Sequence, residues 1–184
     1  MSKNKVHARM TGKEVHGYVR FFNSRNGNVM VAVLISGLEP GSTHGLHVHQ
    51  NEVPASCSAG DCCAAAGGHY NPTGAPHGHW PAPCHAGDLK NNVVANSRGF
   101  LRGKFIAESL KGIPLKQLVG RSVVLHAGAD DLGLQGRSGI LYADMHPGTL
   151  AQYNGKGKTT AAELATKSTK DGNAGARIAC GNIV

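Results

Sequence analysis

The residues in this chain best suited to chemistry are its imidazoles. Of 184 residues, 11 are histidine, and three of these fall in "HGLHVHQ", residues 44–50. His47 and His49 alternate around Val48. In a strand, positions i and i+2 point the same way, so both rings would lie on one side of a sheet. His44, His69, His77, His79, His85 and, far along the chain, His126 complete the group, and Asp88 follows His85 in "HAGD". His7, His16 and His146 stand apart and read as ordinary surface or satisfied core residues. Imidazole suits zinc and copper, and a carboxylate can complete a zinc site. Histidines with one Asp and no obligatory thiolate point to borderline metals with open chemistry. The thiols are a separate matter. The five cysteines, Cys57, Cys62, Cys63, Cys84 and Cys180, are odd in number, so at least one lacks an intramolecular partner. In a cytosolic chain the usual reading is reduced thiols or metal ligands, with an internal disulfide as the alternative.

Such side chains need a rigid frame, and the sequence supplies strands. "KVHARM" and "VHGYVRFF" read as successive strands, and "NVMVAVLIS" as a buried one. "SRNGN" between them carries the Asn-Gly pair of a hairpin turn. "THGLHVHQ" follows the turn-rich "GLEPGS". Residues 50–90 show no secondary-structure period and are rich in Gly, Pro, Cys and His. A loop of that length needs a metal or a disulfide to hold it. "NNVVANS" and "FLRGKFIAES" flank an "SRG" turn and predict another hairpin. "SVVLHAGADD" and the closing "ARIACGNIV" are strands, separated by a second irregular region, residues 133–171, in which "TTAAELATKST" has helix-forming composition. About eight strands with two long loops predict an all-β antiparallel barrel or sandwich. Without internal repeats or a boundary signal, residues 1–184 read as one domain.

Composition narrows the partners. The net charge is +8, with 19 Lys+Arg against 11 Asp+Glu. The cations are dispersed, with no long basic run and no aromatic-basic alternation, so no nucleic-acid partner is expected. A basic surface also favours a small anionic substrate. No stretch approaches the roughly 18 apolar residues of a membrane span. The polar start "MSKNKVHARM" has no apolar core of a secretory signal, so a cytoplasmic protein is expected.

At these residues the chain resembles the copper/zinc superoxide dismutases. The matching pieces are "HGLHVHQ", "GGHYNP", "HGHWPAPCHAGD", "VVLHAGADDLG" and "GNAGARIACG", in the family's order and covering most of the chain from Val15 onward. The resemblance implies an eight-stranded antiparallel Greek-key barrel or sandwich with two long functional loops. It implies conversion of superoxide to dioxygen and hydrogen peroxide by alternate reduction and oxidation of a histidine-bound copper. It assigns His47, His49, His69 and His126 to copper, and His69, His77, His85 and Asp88 to zinc, with His69 bridging the two and carrying a proton to the second superoxide. Asp130 would join the two sites through histidine hydrogen bonds, and His44 would support the copper site from behind. Arg177 would guide the substrate, and Lys170 would help steer it. A homodimer and a copper-loading chaperone are the expected partners. A catalytically inactive copper/zinc-binding metallochaperone or storage protein is the alternative. It is disfavoured because the ligand set and Arg177 are all present.

Three features depart from the family pattern. Cys180 is one half of the family's disulfide, and its partner lies six residues before the bridging histidine. Cys63 has that spacing, but Cys62 sits beside it. Cys63–Cys180 is expected, which leaves Cys57, Cys62 and Cys84 as partly buried thiols; the sharper alternative has Cys84 binding stray metal beside His85. In "HGH", spacing favours His77 for zinc, and His79 is the alternative. Residues 133–171 are much longer than the family's loop, and Thr166 and Lys167 stand where an acidic pair is usual. An idle surface excursion is the expected role of this insertion; capping the channel or binding a partner are alternatives.

Overall fold

The computed structural model describes residues 4–24, 26–57, 60–134 and 161–184; His146 and much of the insertion lie outside them. Among the described residues eight strands form: β1 (Lys5–Gly12), β2 (His16–Asn23), β3 (Val29–Ser36), β4 (Thr43–His49), β5 (Asn92–Val94), β6 (Leu101–Ile106), β7 (Ser122–His126) and β8 (Arg177–Asn182). Each pairs antiparallel with its neighbours in the order β5-β4-β7-β8-β1-β2-β3-β6, a nearly closed Greek-key barrel. The expected all-β class and Greek-key architecture are therefore what the chain adopts.

Alternation along the strands builds the barrel core. In β1, Val6, Ala8 and Met10 are buried while the residues between them face solvent. Val19, Phe21, Val31, Ile35, Leu46, Val48, Val123 and Leu125 join them inside. At about 25 cal/mol per Å² of apolar surface removed from water, this interior is the main stabilising term. The β2–β3 hairpin turns where the Asn-Gly signal lies, with Gly27 at φ 76° and its N–H donating to Ser24 O. That backbone region carries no penalty for glycine.

One expected hairpin is corrected. Around "SRG" the turn forms, with Asn96 N–H donating to Phe100 O at 2.9 Å. The flanking strands then part: β5 pairs with β4 and β6 with β3, so they lie at opposite edges of the sheet. The Leu38 and Gly41 N–H groups donate to Gly99 and Asn96, so the 38–41 connection takes up backbone groups beside this seam. Local turn chemistry was read correctly, but the ladder was decided by longer-range partners.

A second correction concerns the thiols. Cys63–Cys180 forms as expected, but Cys57 and Cys62 are also joined in a disulfide rather than being thiols. The turn closed by Cys57 N–H donating to Pro54 O lies just upstream, and the Cα atoms of Cys57 and Cys62 are 5.5 Å apart, within bridging range. Cys84 belongs to neither bridge.

Candidate metal centre

β4 is buried along nearly its whole length, which a strand with one wet face would not be. Leu46 and Val48 point into the barrel core. His47 and His49 therefore lie on the opposite face, where both are buried. The loops after β4 and β7 cover that face. His69 is tied to β4 by a backbone bridge opposite His49, and Tyr70 N–H donates to Val48 O at 2.8 Å. β7 supplies His126. A register shift between Leu125 and His126 skips Ile178 on β8 and seats His126 opposite Arg177. Irregularities of this kind re-aim side chains at sites.

Two clusters result. One Nδ1 or Nε2 atom from each of His47, His49, His69 and His126 lies within 4.8 Å of the others, and the same holds for His69, His77, His85 and Asp88. His69 belongs to both. In the first cluster an outer hydrogen bond orients three of the four rings. His47 Nε2 donates to Asp130 Oδ2 (2.6 Å), His49 Nδ1 to Gly67 O (2.9 Å) and His126 Nδ1 to Gly175 O (3.1 Å). A carboxylate or carbonyl can only accept, so the proton sits on that outer nitrogen. The inner nitrogens of His49 and His126 are thereby left to offer lone pairs, and the cluster's four ligand atoms lie within 4.8 Å of one another. Burial, followed by the neighbouring rings, holds the His49 and His69 pKa values well below 6.5. Burial and His47 push His126 down to about 3. These bases stay neutral at physiological pH.

The second cluster is built around Asp88. Its Oδ2 accepts the backbone N–H groups of Gly78 (3.1 Å) and His85 (2.9 Å). Its Oδ1 faces His69 Nδ1, His77 Nδ1 and His85 Nδ1 at 2.9, 3.0 and 3.2 Å. His85 Nδ1 makes no hydrogen bond of acceptable geometry despite that proximity. Burial favours the neutral acid at Asp88, but the three imidazoles overcome it and hold the carboxyl well below its ordinary range. Burial also opposes a charge on His77. The Asp130 carboxylate, aided by Asp88, prevails and raises its pKa to about 10.

Asp130 joins the clusters from behind. It accepts from His47 Nε2, from His77 Nε2 (2.8 Å), from Asn91 Nδ2 (3.0 Å) and from Leu132 N–H (2.7 Å). Its burial is outweighed by His77 and by these bonds, so its pKa is lowered. His44 Nδ1 donates to the His126 carbonyl at 2.8 Å. His79 lies outside both clusters and donates to Asn91 Oδ1 at 2.9 Å.

The donor set can be tested against metals directly. His47 Nδ1, His69 Nε2 and His85 Nδ1 are buried without a hydrogen-bond partner. Such atoms cost roughly 1–3 kcal/mol each unless something accepts their lone pairs. His47 lies in the first cluster, His85 in the second and His69 in both. Four imidazoles suit copper, and three imidazoles with a carboxylate suit zinc. The residues therefore fit a cation in each cluster.

A cleft of about 340 Å³ leads to the first cluster, lined by His49, His69, His126, Lys167, Lys170 and Arg177 among others. Arg177 donates to Cys63 O (2.7 Å), Ala64 O (3.3 Å) and Gly67 O (2.6 Å). Burial lowers its pKa, partly offset by Asp171.

A β-barrel with two buried imidazole clusters sharing one histidine is a scaffold that could hold two metal ions side by side. Residues 15–149 match the copper/zinc superoxide dismutase (SODC) family. A Cu-Zn superoxide dismutase of Paramecium bursaria Chlorella virus 1 is 34% identical over 92% of this chain and 72% of its own. That of Saccharomyces cerevisiae is 34% identical over 92% and 89%. A rat copper chaperone for superoxide dismutase is 36% identical over 92% of this chain but only 48% of its own length. The crystal structure of the clock protein EA4 superposes with a TM-score of 0.72 at 29% identity, covering 100% of this chain and 95% of that one. The chain belongs to the copper/zinc superoxide dismutase family, and its two histidine clusters could hold copper and zinc.

Several contributors went unread in the sequence. Asn91 anchors both Asp130 and His79, and Asn92 clamps the Asp130 backbone through bonds of 2.7 and 2.8 Å. Two asparagines at the entry to a strand carry no pattern that would reveal this. Lys167 had been noted only for displacing an acidic residue, yet it lines the cleft. The end of the insertion is not idle. In the helix Ala161–Asp171, Ser168 donates to Asp131 Oδ1 (2.9 Å), and Thr169 O accepts His77 N–H (2.9 Å).

Proposed function

We propose that this chain is an active superoxide dismutase, with copper held by His47, His49, His69 and His126 and zinc by His69, His77, His85 and Asp88. The shared histidine carries the reading: His69 presents one ring nitrogen to each cluster, which couples the two sites through one side chain. Copper, when bound, supplies the one-electron reduction and oxidation that turn superoxide into dioxygen and hydrogen peroxide; zinc has no redox chemistry. The chain does the rest. Lys167 and Lys170 place cations at the cleft, and Arg177, fixed by three carbonyls, offers a guanidinium for a small anion to dock on. His69 Nε2 has no protein partner, so its lone pair is open to copper or, when copper is not on it, to a proton bound for the substrate. Asp88 and Asp130 hold the ring geometry against thermal drift.

The alternative, an inactive metallochaperone or storage protein, takes support from the rat copper chaperone relative. The complete histidine set and an Arg177 beside the cleft favour turnover. The same reading includes a homodimer and loading by a copper chaperone, both carried over from the family resemblance, and a cytoplasmic setting. Among the described residues no helix is long and apolar enough to cross a membrane. His126→Ala tests the assignment. It should abolish superoxide consumption while one zinc per chain remains by elemental analysis; retained turnover would remove His126 from the copper set.

A further inference from the structure

We propose that Cys57 and Cys62 form a redox-active pair that passes its disulfide to the buried Cys63 and Cys180. The sulfurs of Cys57, Cys63 and Cys180 meet in one apolar pocket formed with Val53, Ala66 and Val124, and Cys62 is bonded to the first of them. Cys57 Sγ lies 3.3 Å from Cys180 Sγ and 3.8 Å from Cys63 Sγ. All three are disulfide sulfurs, so no proton lies between them. The contacts are between bare sulfurs at the approach that thiol–disulfide exchange requires.

Burial sets the direction of traffic. Cys63 is 0% exposed and Cys180 2% exposed, while Cys57 and Cys62 are only half-buried. A disulfide reagent in solution meets the outer pair first, because exchange depends on access. Cys63 and Cys180 span 117 residues and tie the loop to β8, whereas Cys57 and Cys62 are separated by 5 and tie little. The outer bridge has little to do as a staple, and its placement against the inner bridge gives it a use.

The steps balance. A small disulfide such as oxidised glutathione takes two electrons from the Cys57 and Cys62 thiols, giving the Cys57–Cys62 bond and two reduced glutathione molecules. The Cys180 thiolate attacks Cys57 Sγ; the Cys57–Cys62 bond breaks, and Cys62 leaves as a thiolate that takes up a proton. The Cys63 thiolate attacks Cys180 Sγ; the Cys57–Cys180 bond breaks, and Cys57 leaves. Two electrons have moved from the inner pair to the outer one. A second glutathione disulfide then restores Cys57–Cys62, giving the two bridges present in the structure.

The test is a quenched reoxidation of the full reduced chain with oxidised glutathione, with bridges mapped by alkylation and peptide mass spectrometry. Cys57–Cys62 should form first, Cys57–Cys180 should rise and fall, and Cys63–Cys180 should follow. Cys57→Ser should slow formation of Cys63–Cys180 by about tenfold or more. Cys63→Ser removes the resolving thiol and should leave a Cys57–Cys180 bridge with Cys62 as a thiol. The proposal is overturned if Cys63–Cys180 forms in the wild-type chain before Cys57–Cys62, a time course that depends on no variant. It is equally overturned if Cys57→Ser reoxidises at the wild-type rate, or if Cys180 stays a thiol in Cys63→Ser.

Discussion

Arg177 shows how much one side chain is asked to do. It donates to the Cys63, Ala64 and Gly67 carbonyls while lining the cleft. Gly67 O also accepts from His49 Nδ1, so the guanidinium and a copper-ligand candidate share one acceptor. Arg177→Ala should lower the second-order rate with superoxide by about tenfold or more with both metals retained. Arg177→Glu should be worse, because it places a like charge in the substrate's path. Arg177→Lys should be the mildest of the three, since an ammonium keeps the charge but not the fork. The charge-dependent part of each loss should shrink with added salt, whose screening length is about 10 Å near 0.1 M. Equal damage and equal salt response from Lys and Glu would mean that Arg177 only braces the loop. The imidazoles make a second prediction, for the metal-free chain. His126 has a folded pKa of about 3, and His49 and His69 are also lowered. Unfolding lets each take up a proton near pH 6.5, so their contribution is present above about 6.5 and is lost on acidification. His77, raised to about 10, acts in the opposite sense: its contribution is full below about 6.5 and is lost as pH climbs toward 10. Urea unfolding of the metal-free chain should therefore show greatest stability near pH ~6.5, falling on both sides. A steady rise through that region would show that His77 is not charged between Asp88 and Asp130.

At the scale of elements, strand alternation is local, so the i, i+2 histidines of β4 could be placed on one face from spacing alone, while His126 and the loop ligands followed only from the family resemblance. What could not be read depended on chain segments far apart. The β5–β6 turn was legible, but its ladder was not, since β3 and β4 compete for those strands. Cys57–Cys62 was missed because spacing does not report where a loop doubles back. The packing of the helix Ala161–Asp171 against Asp131 was likewise hidden, because helical composition does not specify a docking face. Gly172 connects that helix to the centre. Its φ is 68°, and a Cβ there would strike the bond between Asp130 and His77. Gly172→Ala should cost about 2 kcal/mol of stability and weaken zinc binding. Thermal unfolding and zinc titration with unchanged midpoints would show that the helix end does not press on that bond. Asp88→Ala removes the carboxylate from the second cluster while leaving the first intact. It should reduce zinc affinity by about tenfold to a hundredfold, with copper less affected; unchanged zinc affinity would displace Asp88 from the ligand set.

Across the whole molecule, a net charge of +8 keeps the long-range field favourable for anions, while Lys167, Lys170 and Arg177 give it a local focus. A second copy of the chain is expected to pack against it, and sedimentation should report a dimer at micromolar concentration; a monomer there would remove that expectation. Fold and family are common to enzymes and copper chaperones, so only turnover separates them. The most direct test reconstitutes the full-length chain with copper and zinc and measures metal content and superoxide consumption on the same sample. The account predicts one copper and one zinc per chain, with superoxide consumed catalytically and activity lost when copper is withdrawn. A chain that binds both metals stoichiometrically yet consumes superoxide no faster than its zinc-only form would contradict it.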